Sequence, residues 1–179
     1  MQCPKCKNEV LNATKLEEGL AAHGCQKCSG VLISLLYYRD WAERTSSDQL
    51  SEDAAEPQAD NDSKSALACP KCSRIMTKYI IAGDVSNKID LCGNCDEAWL
   101  DGGEWALLKS LKLARDIPSV FTESWQLKVK KEAVQLKHKE RYTRLIGDED
   151  MEKVEAFRLW LAKNKHRSEI LFYFQSSED

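Results

Sequence analysis

Eight cysteines are the residues of this chain whose type and spacing converge on one chemistry. They fall into four Cys-x-x-Cys pairs: Cys3 with Cys6, Cys25 with Cys28, Cys69 with Cys72 and Cys92 with Cys95. One such pair aims two thiolates at a common point, and two pairs about 20 residues apart can complete a tetrahedral sulfur shell. The gap between pairs is 18 residues in the first quartet and 19 in the second. Four thiolates close the shell and leave no position for water, which implies structural rather than catalytic metal. The competing chemistry, a redox dithiol, needs a single pair at a strand-to-helix turn, whereas here every pair has a mate. Two zinc ions are therefore expected, one on Cys3, Cys6, Cys25 and Cys28 and one on Cys69, Cys72, Cys92 and Cys95.

The elements that would position these thiols are short. After the first pair, Glu9 to Thr14 reads as a strand, Glu17-Glu18-Gly19 as an acidic turn and Leu20 to Gly24 as the return strand. Gly30 to Ile33 reads as a third strand, and Ser34 is placed to start a helix from Leu35 to Arg44. The second module repeats the plan with strands over Met76 to Ile81 and Lys88 to Leu91, joined by a turn at Ala82 to Asn87. Asp101 and Glu104 have capping-box spacing ahead of a helix that continues through Leu113. Each module has about 40 residues, too few to bury a self-sufficient core, so metal becomes a condition of folding.

The totals restrict the partners. Formal net charge is −3, and two four-thiolate zinc sites would each add about −2, which argues against bulk attraction to nucleic acid. Paired cysteines directly after Met1 leave no room for a secretory leader, and the apolar run Val31 to Tyr38 is too short to span a bilayer. A cytoplasmic protein in a reducing compartment is expected, with zinc rather than disulfides on its cysteines. Residues 45–66 carry six acids, one lysine and no aromatic residue, and read as a disordered linker whose ends would lie about 25 Å apart. The expected organisation is a zinc ribbon over 1–44, this linker, a second ribbon with a trailing helix over 67–114, and a helical segment over 115–179. The two ribbons are expected to move independently.

Beyond Pro118 the pattern turns helical. Thr122 or Ser124 starts a helix that Gly147 stops, Asp148 begins another through Leu161, and Ser168 to Phe174 form a short apolar one. The first is basic: Lys128, Lys130, Lys131, Lys137, Lys139, Arg141 and Arg144 face only Glu132 and Glu140. These seven are the candidate nucleic-acid contacts, with Trp125 or Tyr142 available to stack on bases. The simpler expectation is a solvated helical face, its charge offset by the acids from Asp148 to Glu155. His23, His138 and His166 are isolated, and nothing resembles a catalytic His-Glu-x-x-His set.

At Cys69-Pro70-Lys71-Cys72, Cys92-Gly93-Asn94-Cys95 and Trp99-Leu100-Asp101-Gly102-Gly103-Glu104 the sequence resembles the zinc-finger family named after transcription factor IIB. That resemblance covers about 36 residues and implies a three-stranded antiparallel ribbon around one zinc ion. The first module keeps the cysteines but has Leu32, Ser34, Leu36 and Tyr37 where the second has Trp99, Asp101, Gly103 and Glu104, so it resembles a degenerate copy.

The fold class expected is thus a small metal-bound α+β protein, two zinc ribbons of short antiparallel three-stranded sheets plus an α-helical C-terminal segment. Its expected role is that of a non-enzymatic adaptor whose ribbons present a protein-interaction surface, on transcription or translation machinery. Direct DNA or RNA binding through the basic helix over 128–144 is the alternative, and a redox-switched zinc chaperone the third. A protein partner is expected first and nucleic acid second, with no membrane and no small-molecule substrate.

Overall fold

Apolar residues run unbroken through Val31-Leu32-Ile33 and Ala98-Trp99-Leu100, and strands of that kind are buried on both faces. In the computed structural model, which describes residues 1–46 and 65–176, they sit side by side at the centre of one sheet. The N-terminal module supplies β1 (Asn12–Glu17), β2 (Leu20–Gly24) and β3 (Val31–Ser34), followed by α1 (Leu35–Arg44). The second supplies β4 (Thr77–Ile80), β5 (Lys88–Cys92) and β6 (Glu97–Leu100), followed by α2 (Glu104–Ser110). The order is β1-β2-β3-β6-β5-β4, antiparallel throughout. Two three-stranded ribbons are present as expected, but they do not move independently: β3 pairs with β6 and fuses them. The acidic linker expected over 45–66 lies almost wholly outside the described residues.

The register of the seam is self-symmetric. Val31 pairs with Leu100, Leu32 with Trp99, Ile33 with Ala98 and Ser34 with Glu97. Leu32 and Trp99 occupy equivalent places in the two modules, so a pseudo-twofold axis passes through their pair. Because successive side chains of a strand alternate faces, the seam feeds two separate cores. Ile33, Ala98 and Leu100 point to one face, where Leu20, Tyr38, Trp41, Ile89, Trp105 and Leu108 pack under α1 and α2. Leu32 and Trp99 point to the other, among both cysteine quartets, Leu11, Leu67 and Met76.

Polar groups fasten the helices to the sheet. The Tyr38 hydroxyl donates to the Ala114 carbonyl at 2.9 Å and accepts from the Ile117 N–H at 3.0 Å, tying α1 to the start of α3 (Ile117–Val120). Glu17, in the turn read as an acidic tip, is occupied internally: it accepts from the Trp105 indole at 2.8 Å and lies 3.0 Å from Lys109 Nζ. The capping box is half realised. Glu104 reaches back to the Asp101 N–H at 2.8 Å, but Gly103, at φ +93°, is the residue that precedes α2. The Asp101 carboxylate is turned elsewhere.

The remaining helices are α4 (Glu123–Ile146), α5 (Asp148–Ala162) and α6 (Arg167–Ser176). The chain divides into two units, Met1–Ala133 and Val134–Asp179, with the boundary inside α4. In the first unit α4 is held by Trp125, whose indole donates to the Ile81 carbonyl at 3.0 Å. Gln126 holds it too, its amide accepting from the Ile80 N–H at 3.1 Å and donating to the Ile80 carbonyl at 2.9 Å. Gly147, at φ +85°, ends α4 and precedes α5, the break expected from sequence. In the second unit Met151 and Leu161 are the buried side chains among the described residues, whereas α6 buries none. Among the described residues no helix is long and apolar enough to cross a membrane.

Candidate metal centres

Each quartet is built from two turns whose backbone folds the same way four times. The residue after each second cysteine donates its N–H to the carbonyl of the first: Lys7 to Cys3 at 2.8 Å, Ser29 to Cys25 at 2.9 Å, Ser73 to Cys69 at 2.8 Å and Asp96 to Cys92 at 3.0 Å. Closing so tight a loop requires left-handed backbone at that residue, and the four φ angles are +59°, +55°, +61° and +57°. Glycine would adopt this without cost; these side chains store about 1 kcal/mol each. In return the turn directs N–H groups at sulfur, as Cys6 N–H does to Cys3 Sγ at 3.3 Å.

The eight cysteines predicted as ligands come together as two groups of four. Within each group all four sulfurs lie inside 4.8 Å of one another, the first cysteine of every pair buried and the second half-buried. Zinc bound by thiolates at about 2.3 Å requires the corners of its tetrahedron to stand about 3.8 Å apart. Cys3 and Cys28 sulfurs are 3.6 Å apart, Cys6 and Cys25 3.9 Å, and Cys72 and Cys92 3.6 Å. A disulfide would need about 2.05 Å. The donor set and its spacing fit two zinc ions, one per quartet, and each closed shell gives zinc a structural place with no open position.

The thiols' titration gives the electrostatic reason for a cation. Burial pushes Cys69 up to about 12 and also raises Cys3 and Cys28, while Cys95 is raised by the Cys72 thiol. Burial works to raise Cys25 as well, but N–H groups of Cys28 and Lys27 draw it down to about 7. The Arg74 N–H and the Cys95 thiol do the same for Cys72, also to about 7. Thiolates packed this closely repel one another, and a divalent ion supplies the charge that lets four coexist.

Trp99 is fully buried in the core that holds both quartets, with its indole N–H donated to the Asp101 carboxylate at 3.0 Å. Lys5, in the first quartet's leading turn, reaches the same carboxylate at 3.3 Å. Its counterpart Lys71 reaches Glu97 at 2.9 Å. The Trp99-to-Glu104 tail that follows the second quartet thus also clasps the first, beyond the metal-site cover expected of Trp99 and the helix start expected of Asp101 and Glu104.

The seven cations predicted on α4 are all exposed. Lys128 lies over the Trp125 ring and 4.0 Å from Glu132, whereas Lys130, Lys131, Lys137, Lys139 and Arg141 have no carboxylate within salt-bridge distance among the described residues. In the second unit, positions three and four apart place Lys137, Arg141 and Arg144 on one helical face. Three acids of α5 pair within α5, Glu149 and Asp150 with Lys153 and Glu155 with Arg158, and among the described residues none of its acids forms an ion pair with a cation of α4. Trp125 is packed into the core and bonded to Ile81, which removes it as a base-stacking platform; Tyr142 remains exposed.

A family model described as transcription factor zinc-finger matches residues 2–44. Its match falls on the module that the sequence reading took for the degenerate copy. No curated protein and no solved structure is significantly similar to the chain.

Proposed function

We propose that the protein is a non-enzymatic adaptor that binds another protein, built on two zinc ribbons, the first matching the transcription factor zinc-finger model over residues 2–44 and the second carrying the other cysteine quartet. Ribbons of this family serve structural zinc, and the closed thiolate shells here offer no position for a substrate. The observation that carries the proposal is the surface of the second unit. Leu159, Trp160, Leu171, Phe172, Tyr173 and Phe174 are all exposed there, and Phe157 packs edge-on against Phe174 at 5.5 Å without burying it. Aromatic side chains left open in this density are characteristic of surfaces that a partner completes. Transcription or translation machinery is the expected setting, on the analogy of the family name.

Direct nucleic-acid binding is the second reading, favoured by the exposed cations of α4 that lack carboxylate partners. A salt titration separates the two. Protein capture by the full chain should be nearly insensitive to salt and lost in a Phe172→Ser, Tyr173→Ser, Phe174→Ser variant. Binding to mixed DNA and RNA that falls steeply with salt, and vanishes on Lys130→Glu, Lys131→Glu and Lys137→Glu, would instead overturn the protein-only reading.

A further inference from the structure

We infer that the two quartets form one cooperative zinc-binding unit: filling either site raises the other's affinity through the β3–β6 seam. This rests on the reading of both quartets as zinc sites. A structural zinc site is assembled as its ligands fold, so two sites that share a folded core share that energy. Here the sharing is physical. Leu32 and Trp99 pair across the seam and belong to a single core that contains all eight cysteines, four buried and four packed at its margin.

The contact is close at two points. A Cβ on Gly30, two residues past the first quartet's last cysteine, would stand 2.3 Å from the Trp99 ring. A Cβ on Gly102, in the second module's tail, would stand 2.7 Å from the carbonyl of Cys28, itself a ligand-bearing residue. Lys5 crosses the seam in the same region to Asp101, which also holds the Trp99 indole. In the opposite direction the Leu35 N–H donates to the Asp96 carbonyl at 2.9 Å, and Arg39 pairs with the Asp96 carboxylate. Each ribbon's metal turn is therefore braced by the chain that leaves the other ribbon. An empty quartet loosens the brace on its neighbour.

The experiment is native mass spectrometry of the metal-free, reduced, full-length chain titrated with zinc chloride. Two independent sites of equal affinity give about half of the chains with one zinc at half saturation, and unequal ones give more. A coupling of about tenfold lowers that fraction to about a quarter. A singly loaded fraction clearly below half supports the inference; one at or above half that Gly30→Ala does not raise further overturns it. Gly30→Ala, which keeps all eight ligands and needs no unusual backbone, should raise the singly loaded fraction to half or more while two ions still bind at excess zinc. If that variant retains the wild-type distribution, the seam does not carry the coupling and the inference fails. The wild-type titration needs no variant to fold, and a chain that binds no zinc at all would sink the metal reading itself rather than the coupling.

Discussion

Apart from the exposed Tyr37, the two units of the molecule place their aromatic residues in opposite ways. In the first, Trp99, Tyr38 and Trp41 are closed in, and Trp41 packs at a tilt against Trp105, ring centroids 5.9 Å apart. In the second, Trp160, Phe172, Tyr173 and Phe174 lie open. Burying an aromatic side chain is among the largest single contributions a small domain can make to its stability. The ribbon unit uses that contribution for its own fold, through a fused sheet with a core on each face. Helices α5 and α6 leave it available, and it is on that exposed surface that the proposed protein-binding role rests.

Metal removal should break this comparison most visibly. Chelation withdraws roughly 10–16 kcal/mol of apparent binding energy per structural zinc site. The near-UV circular dichroism of the buried tryptophans should collapse while much of the far-UV helical signal survives. Full retention of the near-UV signal would mean that the sheet is self-sufficient. Next in size is Gly30→Ala, which forces a methyl group into the Trp99 ring and should cost about 1–3 kcal/mol as overpacking, measured by urea denaturation with zinc in excess.

Tyr38→Phe should cost about 1–3 kcal/mol, because it leaves the buried Ile117 N–H and Ala114 carbonyl without their shared partner. It has a pH signature as well. Burial pushes the Tyr38 hydroxyl up to about 12, above its ordinary value near 10. The stabilisation from the neutral phenol is therefore complete below about pH 10 and is lost as pH rises towards 12. Wild type should lose stability more steeply than Tyr38→Phe over that interval, and parallel pH curves would contradict the burial. The smallest effect belongs to the open unit: Phe172→Ser should change stability by less than about 0.5 kcal/mol. A loss above 1 kcal/mol would show that α6 is already covered within the chain and would erase the contrast.

Much of this was legible in the sequence, in proportion to how local the cause was. The quartets, β2, α1 and the break at Gly147 follow from cysteine spacing, turn residues and helical periodicity, all acting over a few positions. Lys7 and Ser73, which directly follow the second cysteine of each leading pair where the tight turn favours glycine, both have positive φ. The fusion of the ribbons was not anticipated, because pairing between β3 and β6 joins residues about 67 positions apart and leaves no local pattern. Its one signal was the unbroken apolar run in both strands, which a half-exposed ribbon does not need. Asp101 was only half legible for the same reason: its backbone takes the expected place in the capping box, while its carboxylate goes to Trp99 two residues away and to Lys5 of the other module, a partner that only the fused fold brings near. The α4 cations were identified by count, but whether α5 would neutralise them depended on packing that composition does not encode.

The Gln126 side chain has a consequence for how the molecule ends in space. Two separate three-stranded ribbons would expose four strand margins, each offering unpaired amides to any passing chain; fusing them leaves two, at β1 and β4. By bonding both the N–H and the carbonyl of Ile80, Gln126 acts as a one-residue stand-in for a seventh strand. The growth front of the sheet is thereby stopped on one side, and the other side is guarded by Lys15, a charge of the kind that discourages edge-to-edge stacking.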